Sequence, residues 1–316
     1  MDKARRNAEG VGCRVRALEG ESGYINLDAG FADAAAAMKG VMSLVLAKAK
    51  HRGGVVFRRE KVRTLLFSGD RVLGARMEGE KEEVVKAHLT IVAAGAWTGS
   101  LVDLRGRMEA RGQVVAYLPL TPLEKAKLDG IPIRLDLSSG MFIIPPVYNT
   151  HTGGWELKIA RHGYGYANPT LVSPKDGMEI TASLPHALFS PIPSEGESAC
   201  RAFLRQTIPW LAERKFVRTR ICWYADTPTG DFLVGWHPRY AGLFLATGGS
   251  GHGFKFLPVL GGKVVAAIEG GLEGELGGWW GWREGGVEGG TEDGSRGGVR
   301  GMVLEEEWER GGRSML

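Results

Sequence analysis

The chain predicts an α/β (α+β) fold, one part wound around buried strands and another built as an antiparallel layer. Three observations carry this. Leu243-Phe244-Leu245-Ala246 is an apolar run too short for a helix, and it feeds the glycine turn Thr247-Gly248-Gly249-Ser250-Gly251-His252-Gly253 and then a helical stretch to about Ile268. Early in the chain a helical period is followed by short strand-like runs up to Leu89–Trp97. Between about residues 106 and 218 the runs are mostly alternating and strand-like.

The totals bound the rest. A length of 316 residues suffices for two domains of ordinary size. With 43% hydrophobic and 24% charged residues the composition is that of a globular protein. A net charge of +4 without a block of like charges argues against nucleic-acid binding. No apolar run approaches the about 18 residues that read as a membrane span. The charged stretch Met1–Gly10 has no apolar core, so no secretory signal is expected. Cys13, Cys200 and Cys222 are far apart, which argues against a disulfide framework or a zinc site.

Taken in order, Gly10-Val11-Gly12-Cys13 mimics part of a dinucleotide fingerprint. It lacks the strand that must precede it and is read as chance. Asp28 is placed near the N-cap of a helix in which Met38, Val41, Val45 and Ala49 recur at helical spacing, ended by Gly53-Gly54. Val55-Val56-Phe57 is expected to be a short buried strand. Val62–Phe67, Arg71–Glu78 and Glu82–Lys86 read as a meander with a turn at Ser68-Gly69-Asp70. Leu89–Trp97 reads as a buried strand ending in small residues. Val114–Leu118, Ile133–Asp136, Met141–Ile144 and Trp155–Ile159 read as strands, and Ser194–Leu211 as a helix with Ser194 as its N-cap. Arg218–Tyr224 is expected to return to the first domain. Glycine crowds residues 271–316, which predicts an irregular tail, and Trp279, Trp280, Trp282 and Trp308 predict that it docks. Gly248–His252 lacks the last glycine of a nucleophile elbow, and Gly262-Lys263-Val264 is no phosphate loop.

Several separated segments then converge. Cys222-Trp223-Tyr224 with Asp226-Thr227-Pro228, followed by Thr247–Lys255, resembles the flavin-binding C-terminal half of amine-oxidising FAD enzymes. That group includes monomeric sarcosine oxidase, L-pipecolate and L-saccharopine oxidases and fructosyl amino acid oxidases. The resemblance covers roughly residues 22 to 270. It implies a discontinuous FAD-binding, Rossmann-like domain from residues 22–105 and 219–270, a substrate domain from 106–218, and a tail from 271–316. That family begins with a strand, glycine loop and helix which this chain lacks, so the FAD-binding domain is expected to be incomplete.

The resemblance also implies roles. By itself a cysteine in a strand is usually a small buried hydrophobe. In the family, a cysteine in the context of Cys222 carries the flavin through a thioether. Lys158 and His162 share a strand face by spacing; the resemblance puts the lysine to work on dioxygen and the histidine on the substrate. Lys255 is implied to bind the substrate's carboxylate or another polar group, and a lysine at a helix N-terminus is locally unfavourable, which hints at function. Implied cofactor contacts are Val62, Gly95, Ala96, Trp97, Gly248, Gly249, Gly251, His252, Gly253 and Lys255. The expected reaction oxidises a small secondary amine with dioxygen, giving imine and hydrogen peroxide. Saccharopine-, pipecolate- or sarcosine-type acids are preferred over fructosyl amino acids. A monomer with no metal, nucleic-acid or membrane partner is expected. The other reading is an inactive remnant that does not hold FAD. The last residues, Ser314-Met315-Leu316, match a peroxisomal address at two of three positions, so a peroxisomal location is expected, with the cytoplasm as the alternative.

Overall fold

In a computed structural model, residues 26, 30–52, 54–79, 83–175, 177–186, 191–272, 274–283, 291 and 293–311 are described. Helix α1 (Ala34–Arg52) leads into strands β1 (Val62–Ser68), β2 (Arg71–Met77) and β3 (Val84–Lys86), an antiparallel meander. Strand β4 (Thr90–Val92) runs into a 3-10 turn at Gly95–Ser100. The long strand β5 (Glu109–Leu120) and the short helix α2 (Pro122–Lys127) follow. Next come β6 (Arg134–Leu135), β7 (Met141–Ile143), β8 (Val147–Asn149), β9 (Gly154–Arg161) and the hairpin β10 (Pro169–Lys175)–β11 (Met178–Ser183). Helix α3 (Ser194–Thr207), β12 (Arg218–Asp226), β13 (Leu233–Trp236), β14 (Leu243–Thr247) and α4 (Leu257–Ile268) complete the main body. The tail carries α5 (Leu276–Trp280) and α6 (Leu304–Arg310).

The largest sheet has six strands, in the order β12-β5-β9-β7-β6 with β8 beside β9, and every pair is antiparallel. Alternation along the strands gives it two different faces. One carries Val114, Ala116, Leu118, Leu157, Ile159 and Ile221, which pack with Cys200, Phe203 and Leu204 of α3 into the main core. Burying one leucine-sized side chain there contributes about 2 kcal/mol, so this face fixes the register of the whole sheet. The other face has only a small cluster of Val115, Tyr117 and Ala160, with Phe142 and Cys222 against it. The second sheet, β13-β14-β4, pairs β14 with β4 in parallel. Its central strand β14 is buried from Leu243 to Leu245, as expected for a strand covered on both faces.

Several expectations need correction. Val55–Phe57 is no strand: it is unpaired backbone with Val56 79% exposed. An apolar run becomes a strand only where a neighbour takes its backbone hydrogen bonds, and none among the described residues does. Helix α1 forms, but it is capped by Asp33, whose carboxylate accepts from the Ala36 N–H at 2.9 Å; Asp28 lies outside the described residues. The stripe Met38, Val41 and Val45 remains exposed. Ile91 in β4 is likewise exposed. Ser194 is the first residue of α3; Pro193 precedes it as cap without a side-chain bond. The segment expected to return to the first domain, β12, instead pairs with β5 along its whole length from Arg218↔Tyr117 to Asp226↔Glu109. Its ends belong to different cores, Ile221 to the large sheet and Ala225 to the small one. Among its described residues the tail holds two short helices, which glycine content does not predict. Trp280, Trp282 and Trp308 each pack on a core cluster, while Trp279 is exposed.

Candidate active site

The register of the large sheet brings distant residues onto one face. Lys158 on β9 stands opposite Tyr117 on β5, and Ala160 opposite Val115. On the other side of β5, Cys222 stands opposite Gln113 and Tyr224 opposite Arg111. Alternate residues share a face, so Lys158, Ala160 and His162 join Cys222 and Tyr224 on the side away from α3. All but Ala160 of these five are half-buried. Gln113 locks the end of β9: its amide donates to Gly163 O at 2.8 Å and accepts from Gly163 N at 3.0 Å. The ammonium of Lys158 lies 5.5 Å from the ring centroid of Phe142.

The glycine turn seals one end of this face. Gly248 and Gly251 have φ of 74° and 69°, a region that favours glycine. A Cβ on Gly251 would come within 2.5 Å of the Tyr224 ring, so glycine lets the turn press against the sheet. His252 donates from Nε2 to Gly230 O at 2.8 Å, and its Nδ1 is buried with no hydrogen-bond partner among the described residues. Gly249 and Gly253 leave room beside them, the nearest atoms to an added Cβ being at 3.9 and 3.7 Å. Lys255 sits in a 3-10 turn at Gly253–Phe256, exposed, 5.2 Å from the Phe256 ring, and α4 starts only at Leu257.

The turn Gly95–Ser100 lies beside the glycine turn. Both follow the C-terminal ends of the adjacent parallel strands β4 and β14, where ligands bind in open α/β sheets. Thr98 joins them: its hydroxyl is 3.1 Å from that of Thr247 and donates to Gly95 O at 2.8 Å. Gly95 has φ of 53° and open space where a Cβ would be, Ala96 is buried and Trp97 is 44% exposed. Val62 stands apart, opening β1 in the meander and packing on the core of the small sheet.

Three residues at the centre were not assigned from sequence. Tyr224 places its hydroxyl 3.3 Å from His162 Nδ1. Arg296, from the tail, places Nη1 2.8 Å from His162 Nδ1 and 2.6 Å from Nε2. Its Nη2 donates to Asp226 Oδ1 and to Ser250 O, both at 2.9 Å. A guanidinium only donates, so the His162 ring must present a lone pair and be neutral. Burial first, and then Arg296, lower its pKa to about 4, with His252 and Lys255 lowering and Asp293 raising it. Burial raises Asp226 to about 6 against the pull of Arg296 and Arg111. Burial also raises the Tyr224 phenol, so it stays protonated. In the sequence Arg296 lies in Asp293-Gly294-Ser295-Arg296-Gly297, a stretch similar to the tail of the resembled family, but no role attaches to it there. A Cβ on Gly297 would collide with backbone atoms of Leu137 and Gly140, so a glycine is required where the tail crosses the β6–β7 hairpin.

The residues fit the flavin that the sequence implies. The face with Lys158, His162 and Cys222 is the one α3 leaves free, His252 Nδ1 is an unpartnered polar atom at its rim, and Gly95 and Gly249 leave space for close approach. Among the described residues no helix is long and apolar enough to cross a membrane.

The chain is similar to known oxidases. Amino acid oxidase imqH of Aspergillus flavus is 34% identical over 210 residues, covering 58% of this chain and 43% of that one. L-saccharopine oxidase of Schizosaccharomyces pombe is 30% identical over 198 residues, covering 62% of this chain and 44% of its own. Among solved structures, fructosamine oxidase (Amadoriase II) from Aspergillus fumigatus superposes with a TM-score of 0.66 at 32% identity, over 77% of this chain and 56% of that one. The chain thus spans about half the length of the relatives it matches. The model of the FAD dependent oxidoreductase family matches residues 4–268, and with the flavin-compatible face described above the chain belongs to that family.

Proposed function

We propose that this chain carries the catalytic face of an enzyme that oxidises a secondary amine, an N-substituted amino acid of the saccharopine, pipecolate or sarcosine type. The amine and dioxygen become imine and hydrogen peroxide, and water then hydrolyses the imine. The observation that carries this is the gathering of Lys158, His162, Cys222 and Tyr224 on one sheet face, with Arg296 and Lys255 adding positive charge at its edge. FAD, when bound, supplies the two-electron chemistry by taking a hydride equivalent and passing electrons to dioxygen.

The chain's own groups supply the rest. The thiol of Cys222 is the attachment point for covalent flavin, and Gly248, Gly249, Gly251, His252 and Gly253 with Gly95–Trp97 line the cofactor. Lys158 places a fixed positive charge where dioxygen acquires negative charge, which lowers the barrier electrostatically. Lys255, exposed at the glycine turn, attracts the substrate carboxylate. His162, whose lone pair faces Arg296, stays neutral above about pH 4 and so does not repel an amine that carries a proton on arrival.

A second reading, a fructosyl amino acid oxidase, shares this chemistry and is favoured by the structural likeness to the fructosamine oxidase. The test is to load the chain with FAD and offer saccharopine, pipecolate, sarcosine and a fructosyl amino acid aerobically. Peroxide formed in step with oxygen consumed, on one of the first three, supports the main reading. Turnover of the sugar adduct alone shifts it to the second, and a loaded chain that oxidises none refutes both. Lys255→Ala should raise KM for the turned-over acid about tenfold, the loss expected for one charge-assisted contact of about 1.4 kcal/mol.

A further inference from the structure

The Arg296–Asp226 ion pair is almost wholly buried, at 1% and 2% side-chain exposure. Desolvating two charges commonly cancels their attraction, so such a pair is a poor device for merely gluing a tail down. The tail backbone is already held without it. Gly298 N donates to Ser138 O at 2.9 Å, Tyr164 N donates to Gly297 O at 3.3 Å, and Gly163 and Gly297 form a parallel bridge. What the pair adds is direction. Asp226 Oδ1 and Ser250 O take both hydrogen bonds from Nη2, which leaves Nη1 aimed at the His162 imidazole. The carboxylate comes from β12, the ring from the end of β9 and the guanidinium from the tail, so three chain segments meet in one line.

We propose that Asp226 is a positioning residue: it anchors the guanidinium of Arg296 against the imidazole of His162, and so makes the tail part of the catalytic face. This rests on the reading of that face as catalytic. The groups around the ring are Tyr224 on β12, His252 and Lys255 from the glycine turn, and Asp293 and Arg296 from the tail. Those around Asp226 are Arg296, Arg111, Asp293 and Glu109.

The sign of one measurement decides it. Asp226→Asn removes a negative charge, which by simple electrostatics lowers the affinity of His162 for a proton. Release of Arg296 does the opposite, because the ring loses its positive neighbour. Histidine resonances of the full chain without added flavin are followed by NMR, with His162→Gln for assignment. Above about pH 6, where Asp226 is ionised, His162 of the unsubstituted chain should stay neutral through the range in which an ordinary histidine titrates. In Asp226→Asn and in Arg296→Met it should titrate between about pH 5 and pH 7. His237, buried against Tyr240 and Trp282 and facing neither Asp226 nor Arg296, is the internal control. A His162 that responds to Arg296→Met but not to Asp226→Asn overturns the proposal. So does a joint shift of His162 and His237, which would mark general loosening. Should Asp226→Asn fail to fold, Asp226→Glu displaces the carboxylate by one methylene, and an unmoved His162 there is equally fatal. The readout needs no turnover. A normal His162 response in a chain that oxidises no amine would therefore sink the oxidase reading alone.

Discussion

Lys158 and Cys222 stand on the same face of the six-stranded sheet, on the two strands that flank β5, opposite Tyr117 and Gln113. The offset between those partners is four residues, about 13 Å of strand. The amine-oxidase reading gives the two residues separate tasks at the two ends of that span, and they should respond separately to mutation.

Lys158→Met removes the charge and keeps the length of the stem. The oxidative half-reaction should slow at least about 100-fold, the scale of losing one well-placed electrostatic stabiliser, while reduction by the amine changes little. Stopped-flow measurement of the two half-reactions checks this. Equal slowing of both would remove Lys158 from the oxygen step.

Cys222→Ser tests attachment. The FAD-loaded chain should keep its yellow colour through acid precipitation, and the serine variant should release it. Cys200 is no rival, since it is fully buried on the core face of α3 and burial pushes its thiol up to about 12. Colour that washes out of the unsubstituted chain would end the covalent assignment.

Stability should fall in acid. His162 and His237 both have pKa values lowered to about 4, chiefly by burial, so between about pH 6.5 and pH 4 the unfolded chain binds more protons at these sites. Asp226, raised to about 6, works the other way: from about pH 6 down to about pH 3.8 the folded chain holds the extra proton. Two histidines outweigh one aspartate, so the melting temperature should drop from pH 7 to pH 4.5. His162→Gln and His237→Gln should each flatten that slope. A melting temperature that rises toward pH 4.5 would contradict the assignment.

The peroxisomal address remains a proposal, since Ser314-Met315-Leu316 lies outside the described residues. A fluorescent protein carrying the last dozen or so residues should collect in peroxisomes, and deleting Leu316 should disperse it. A diffuse signal from the intact tail would leave the cytoplasm.

The segments legible in the sequence were those whose signal is local. Strand β14, the glycine turn and α4 announce themselves by a short apolar run, residues that allow positive φ, and a following helical period. The shared face of Lys158 and His162 follows from strand alternation alone, and Cys222 could be singled out from its flanking residues. Val55–Phe57 failed because apolar content does not supply a neighbouring strand, and only the fold reveals whether one is there.

What tertiary structure alone decided is which distant residues meet. Nothing local marks Arg296 as a neighbour of His162, 134 positions away, or shows that Asp226 would aim it. The same holds for β12, whose sequence says strand but whose pairing with β5 is set by the core that Ile221 enters. The physical reason is range. Periodicity, turn chemistry and capping act over a few residues and are written along the chain. A buried ion pair or a sheet register gains its energy only when segments remote in sequence are packed together, and the packing chooses the partners.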